Sequence, residues 1–148
     1  MTLLRRTLLA AITASFGLAL LPATAEDGIV VLDAYARFLP GAKAGAIYLT
    51  IENRTGVEDR LIAAQTDLAD MAELHRSAMT ADGMMTMEPL SDGLPVGASG
   101  QTVLATGGDH IMVMGLRAHP ADGDLIPVTL TFRNAGTITL EVPVNNNR

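Results

Sequence analysis

The sequence predicts an all-β protein, arranged as an antiparallel sandwich or a small barrel. Segments 126–132 and 137–144 alternate apolar and polar residues with a period of two, as half-buried strands do. Short apolar runs recur between 29 and 144, and glycine, asparagine and aspartate residues separate them. Many short strands with such turns are typical of sandwiches and barrels. We find no internal repeat or long linker, so we expect a single domain.

The candidate strands follow one another closely along the chain. They are predicted at 29–37, 45–53, 60–65, 72–76, 84–90, 101–105, 110–115, 126–132 and 137–144. Asn134, Ala135 and Gly136 separate the last two candidate strands and predict a hairpin turn. Segment 61–71 also permits a helical turn, because alanine and leucine recur in it.

Residues 1–25 are predicted to be a secretory signal peptide. Arg5 and Arg6 supply a positive start, 8–21 is almost entirely apolar, and 23–25 forms a small-x-small cleavage site. The apolar stretch is too short for a confident membrane span, so we expect none after cleavage. The arginine pair leaves both the general secretory and the twin-arginine routes open. We therefore expect a periplasmic protein.

Cleavage before Glu26 would leave 26–148 as the folded domain, with a more acidic balance. The chain has a formal charge of −6, and loss of two arginines makes it −8. This charge argues against nucleic-acid partners and anionic membranes. Cysteine is absent, which excludes a disulfide scaffold, a thiolate copper centre and thiol redox chemistry.

Methionine and histidine are concentrated in one part of the chain. Seven of the eight methionines and two of the three histidines lie between 71 and 114. Thioether sulfur and imidazole nitrogen together favour a soft ion of low charge, and copper(I) is the natural candidate. Methionine also fills gaps in cores, so packing is the alternative interpretation. The combination with histidine, on an exported chain, favours metal binding.

The run from His110 to Met114 is predicted to be a strand with two different faces. Residues i and i+2 of a strand point to the same side, so His110, Met112 and Met114 should project together. Ile111 and Val113 should face the core. Met85 and Met87 have the same spacing in a second candidate strand, and His75 lies in a third. Three segments could therefore offer soft ligands to one point.

The chain resembles the periplasmic copper chaperones of the PCu(A)C type. The matching strings are AELH at 72–75, DGMMTMEP at 82–89, GGDHIMVMGL at 107–116, AIYLTIEN at 46–53 and VTLTF at 128–132. The family signature is a histidine, ten residues, a methionine, twenty-one residues and His-x-Met. Carried over by position, the resemblance implies the ligands His75, Met87, His110 and Met112.

Two spacings depart from that signature by one residue each. Eleven residues separate His75 from Met87, and twenty-two separate Met87 from His110. Met85 therefore stays an alternative to Met87, although the second methionine of Met-x-Met aligns better. Met114 shares the predicted face of His110 and is a further candidate, as a ligand or a transfer contact.

The resemblance implies a cupredoxin-like Greek-key sandwich that binds copper(I). The sequence shows no Ser-His-Asp set, no paired-carboxylate pattern and no phosphate loop, so we do not expect an enzyme. It implies delivery of copper to the CuA site of cytochrome c oxidase subunit II, directly or through a thiol-containing assembly factor. We expect a monomer. Two alternatives stay open: a periplasmic copper-buffering protein, and a metal-free structural sandwich whose methionines lie in the core.

Overall fold

The computed structural model describes residues 28–148. The predicted signal peptide and its cleavage site lie outside these residues. Ten strands are present: β1 (Ile29–Arg37), β2 (Ala44–Asn53), β3 (Asp59–Gln65), β4 (Ala69–Met79), β5 (Met85–Pro89), β6 (Leu94–Val96), β7 (Gln101–Leu104), β8 (Asp109–Leu116), β9 (Leu125–Phe132) and β10 (Gly136–Pro143). The predicted all-β class is confirmed.

The strands form two sheets that make a sandwich. The larger sheet has the order β1-β2-β8-β4-β5, and β7 joins it by pairing with β2. The smaller sheet has the order β10-β9-β3-β6. Neighbouring strands pair in the antiparallel sense. One edge of β2 serves two partners, because β8 pairs with its first half and β7 with its second.

Two details differ from the sequence prediction. Segment 61–71 contains no helical turn: it holds the end of β3, a tight turn and the start of β4. Both β3 and β4 stay extended up to that turn, because each pairs there with a neighbouring strand. The three-residue strand β6 was not predicted, since so short a run carries too little alternation.

The core lies between the two sheets and is built from aliphatic residues and phenylalanine. Its buried members are Ala36, Phe38, Ile47, Leu49, Ile51, Leu61, Ala64, Ala69, Leu74, Leu94, Val96, Leu104, Ile111, Val113, Ile126, Val128, Leu130, Phe132, Val142 and Val144. None of the methionines in 28–148 belongs to this core. The alternative interpretation, in which the methionines pack in the core, is therefore wrong for the methionines of 28–148.

Hairpin turns join two pairs of consecutive strands, β9 with β10 and β4 with β5. The predicted turn at 134–136 is confirmed, because Phe132 pairs with Gly136 and β9 is followed directly by β10. In the β4–β5 hairpin, Gly83 has a φ of 79°, which glycine adopts readily.

Residues 28–148 contain no helix that is long and apolar enough to cross a membrane.

Candidate metal centre

The outward face of the larger sheet carries the two histidines that the sequence singled out. His75 of β4 and His110 of β8 are direct cross-strand partners, and their ring centroids lie 6.0 Å apart. Ile111 and Val113 are buried on the opposite face, as predicted. On the core-side face of the same two strands, Arg76 makes a two-point ion pair with Asp109 at 2.7 and 2.9 Å. This pair helps hold the register that sets the histidines opposite each other.

His110 is almost completely buried, with 5% of its surface exposed. Its Nδ1 lies 3.1 Å from the carbonyl oxygen of Gly108. A carbonyl only accepts hydrogen bonds, so this contact places the ring proton on Nδ1 and leaves a lone pair on Nε2. Gly107, with a φ of 83°, makes the turn that brings the Gly108 carbonyl to this position. A backbone carbonyl behind a ring nitrogen is the arrangement that orients metal-binding histidines.

His75 has the complementary arrangement. Its Nε2 lies 3.2 Å from a carboxylate oxygen of Glu73, two residues back on the same face of β4. Its Nδ1 is buried and has no hydrogen-bond partner among residues 28–148. An ionised carboxylate accepts a hydrogen bond, so Nε2 carries the proton and Nδ1 keeps a lone pair. A buried acceptor without a partner is costly, and a metal ion would satisfy it.

The methionines of β8 follow His110 at successive positions on the same face. Met112 is the first, opposite Glu73 on one side and Ala46 on the other. Met114 is one step further away, opposite Met71. Each step of two residues along a strand covers roughly 6.8 Å. Met112 therefore lies near the histidine pair, whereas Met114 is farther from it.

The methionines of β5 differ in their distance along the strand from the histidines. Pro89 is the cross-strand partner of His75, Met87 is opposite Ser77, and Met85 is opposite Met79. Met87 is thus one same-face step from the row of His75, about 6.8 Å, and Met85 is two steps away. The register places Met87 closer to the histidines than Met85.

An open cleft of about 380 Å³ connects most of these side chains. Met85, Met87, His110 and Met112 all line it. His75 is not among its lining residues. Arg37 borders the same cleft, and its buried Nε has no hydrogen-bond partner within 28–148.

Three residues at this site were not singled out from the sequence. Glu73 could have been found, because it precedes His75 by two and must share its face in a strand. Tyr48, whose ring centroid lies 6.3 Å from that of His110, depends on the pairing of β2 with β8. Arg37 reaches the cleft through the pairing of β1 with β2. No local sequence pattern predicts either of these contacts.

The donor set suits a soft ion. Within 28–148 there is no group of three or more His, Cys, Asp or Glu side chains that could hold a metal ion. Hard cations need several carboxylate or carbonyl oxygens, and zinc rarely uses thioether. Two imidazole nitrogens beside methionine sulfur are typical of a copper(I) site.

Comparison with known sequences identifies one family across nearly the whole described region. The sequence model of the family described as "Putative lipoprotein LpqE-like" matches residues 29–144. A protein of Leifsonia xyli subsp. xyli, named "Putative lipoprotein Lxx21020", is 34% identical over 152 residues. The match covers 97% of this chain and 90% of that protein.

Comparison with solved structures identifies the same fold in copper-related domains. The solution structure of CuI-DR1885 from Deinococcus radiodurans matches with a TM-score of 0.64 and 28% identity, covering 84% of each chain. The copper-bound PCuAC domain from PmoF2 matches with a TM-score of 0.66 and 20% identity, covering 79% of this chain and 92% of that one. The apo PCuAC domain from PmoF1 has the same score, identity and coverage.

Proposed function

This chain belongs to the LpqE-like family, and on that premise we propose that it is an exported copper(I) chaperone. The Deinococcus protein was solved in its copper(I) form, and the PmoF2 domain was solved with copper bound. Both have the fold of this chain. Copper is here the cargo that the protein carries and passes on.

One observation carries the proposal: His75 and His110 face each other with a lone pair free on each ring. Glu73 and the Gly108 carbonyl occupy the other ring nitrogens. The Nδ1 of His75 has no hydrogen-bond partner within 28–148, so its lone pair is available to an ion. Methionine sulfur is available nearby on both neighbouring strands, and it is not needed for the core.

We assign the ligands as His75, Met87, His110 and Met112. The register supports Met87 over Met85, because Met87 is one step from the histidine row and Met85 is two. Met114 lies two steps from His110 along β8, so we assign it no direct bond to the ion.

The exposure of the ligands suggests how copper would leave. Met87 is 57% exposed on β5, whereas His110 is buried. An acceptor could therefore replace Met87 first and the histidines last, so that copper is never free in solution. Copper(I) accepts few ligands, which permits such stepwise exchange without oxidation or reduction.

The acceptor and the compartment are part of the proposal. We infer delivery to the CuA site of cytochrome c oxidase subunit II, or to a thiol-containing assembly factor, from a periplasmic monomer. The names of the relatives, which call them lipoproteins, support a location in the cell envelope. The 148 residues contain no cysteine, so they offer no thiol for lipid attachment.

The test is an anaerobic copper(I) titration of the purified protein against a chromophoric chelator. We expect one tight equivalent, and its loss in His75→Ala and in Met112→Ala. His119→Ala is the matched control, because His119 is exposed and lies in a loop, outside the strands that carry the proposed ligands. Failure of the parent protein to compete for copper would refute the proposal.

A second experiment separates a chaperone from a copper buffer. The copper(I)-loaded protein is mixed with the apo CuA domain of subunit II, or with an apo dithiol assembly factor, and the two are separated. Copper on the acceptor supports the chaperone. Copper that stays where it began in both mixtures would favour buffering.

A further inference from the structure

We propose that the tip of the β4–β5 hairpin carries a second, outer copper(I) site, formed by Met79 and Met85. This inference rests on the proposed function, because the outer site would receive copper(I) and pass it to the inner one. The outer site is made of thioethers alone and would bind more weakly than the site with two histidines.

The register places the two side chains together. Met79 and Met85 are direct cross-strand partners, so both point to the same face of the hairpin. Directly opposed residues on antiparallel strands have Cβ atoms about 4.5–5.5 Å apart. Two flexible methionine side chains at that separation can bring both sulfur atoms to one ion.

Packing does not account for these methionines. Met79 is 70% exposed and Met85 is 52% exposed. Neither belongs to the buried core or to the partly buried residues that pack against it. Large apolar side chains that are exposed as a group indicate a binding site more often than isolated ones do.

The turn holds the pair in place. The backbone N–H of Thr80 donates to the Met84 carbonyl at 2.8 Å, and that of Gly83 donates to the Thr80 carbonyl at 2.9 Å. The Thr80 hydroxyl lies 3.1 Å from the Met84 carbonyl oxygen. The two strands therefore leave the turn in a fixed register, which reduces the ordering required when an ion binds.

The path from the outer to the inner site is short and continuous. Met85 and Met87 share one face and both line the cleft that reaches His110 and Met112. The path starts at Met79, which is 70% exposed, and ends at His110, which is 5% exposed. Met85 and Met87, at 52% and 57%, lie between them. Copper(I) can move by exchanging one sulfur ligand for the next. It keeps its charge, and no proton is released, because thioethers are not protonated.

The chemistry selects the ion. Thioether sulfur binds soft ions and has little affinity for magnesium, calcium or zinc. The outer site should thus favour copper(I), and silver(I), a soft ion of the same charge, should bind in the same way. Silver(I) is a useful probe because it is stable in air.

The experiment uses the full protein with ¹³C-labelled methionine methyl groups, titrated with copper(I) without oxygen and separately with silver(I). The first equivalent should shift the methyl signals of Met87 and Met112. The second should shift those of Met79 and Met85. Leucine is close to methionine in volume, so Met79→Leu with Met85→Leu should lose the second set of shifts and keep the first. Met71→Leu, at another exposed methionine of the same sheet, is the control.

The outcomes separate the two proposals. Signals of Met79 and Met85 that stay unchanged at two equivalents would overturn the outer site and leave the chaperone proposal intact. If no methyl signal moves at any copper(I) or silver(I) concentration, both proposals fail. The rate at which the inner site fills, followed through the Met87 and Met112 signals, tests the hand-over itself. A double variant that fills the inner site as fast as the parent would overturn the hand-over, even if the parent binds a second equivalent.

Discussion

At the scale of single residues, the structure explains why the two histidines are not equivalent. His110 is held by a backbone carbonyl, which a side-chain substitution cannot remove. His75 is held by the Glu73 side chain, which a single substitution can remove. Hydrogen bonds of this kind orient the ring and make the free nitrogen a better donor. Glu73 is therefore the residue through which His75 can be tested.

Glu73→Ala should weaken copper(I) binding by roughly 10- to 100-fold, the usual effect of losing such a partner. Glu73→Gln should lose less, because an amide oxygen can still accept the Nε2 proton. Chelator competition gives the affinity, and imidazole ¹⁵N shifts of the apo protein report the tautomer of His75. Glu141→Ala, at an exposed position of the other sheet, is the control. An unchanged tautomer in Glu73→Ala would contradict this role.

Met87→Leu should weaken copper(I) binding at the inner site by more than the roughly 10- to 100-fold that is lost when a hydrogen-bond partner of a ligand is removed. Met85→Leu should change it much less, because Met85 lies one same-face step further from the histidine row. The two affinities are compared by chelator competition under identical conditions. The reverse order would show that the ligand is Met85.

At the scale of elements, the β4–β5 hairpin positions half of the site. His75 lies in β4 and Met87 in β5, and β4 also pairs with β8, which carries His110. The strand β4 is longer than predicted, at 69–79 rather than 72–76, because it has a partner on both sides. The geometry of the site thus depends on the turn that fixes the register of β5.

Gly83→Ala should destabilise the hairpin by about 1–2 kcal/mol, because a side chain at a φ of 79° is strained. A Cβ at this position would meet no atom within 4 Å, so the strain is in the backbone alone. Amide hydrogen exchange should become faster in β5, and copper(I) affinity should fall. Gly97→Ala, with equal space and no positive φ, is the control. Equal protection of β5 in both variants would contradict the argument.

At the scale of the whole molecule, the sandwich separates stability from binding. The inner faces of the two sheets form the core, and the metal-binding side chains lie on the outer face of one sheet. Substitution of the exposed ligand Met87 should therefore affect stability little, whereas His110 is itself buried. Stability depends instead on the core and on contacts that tie distant loops together, of which Asp59 makes the clearest.

Asp59 is a buried carboxylate at the start of β3. It accepts hydrogen bonds from the backbone N–H groups of Arg60, Asn134 and Ala135 at 2.7–2.9 Å. Burial alone would raise the pKa of this carboxyl, but the backbone donors together hold the pKa below its usual value. The charged form is therefore stabilised in the folded protein.

Asp59→Ala should lower the free energy of unfolding at pH 7 by about 1–3 kcal/mol, because it leaves three partly buried backbone N–H groups without their acceptor. The contribution of a lowered pKa is complete above the unfolded value of about 3.9 and is lost as pH falls through the folded pKa. The difference between parent and variant should thus shrink below about pH 4. Urea unfolding at several pH values measures it, with Asp82→Ala as the exposed control. A difference that is constant with pH would be inconsistent with this role.

The sequence by itself determined the all-β class, the nine longer strands and the face shared by His110, Met112 and Met114. These follow from the period of two and from turn residues, which are local properties of the chain. The candidate ligands were also visible, because soft donors are few and concentrated in one segment. The assignment of residues 1–25 stays a prediction.

Only the tertiary structure decided which of these residues meet. The opposition of His75 and His110, the order of Met87 and Met85 along β5, and the contacts of Tyr48 and Arg37 all depend on register between strands. Register is set by long-range pairing and by turn geometry, which alternation along one strand does not specify. The exclusion of methionine from the core was decided in the same way, because the aliphatic residues of two sheets fill that space without it.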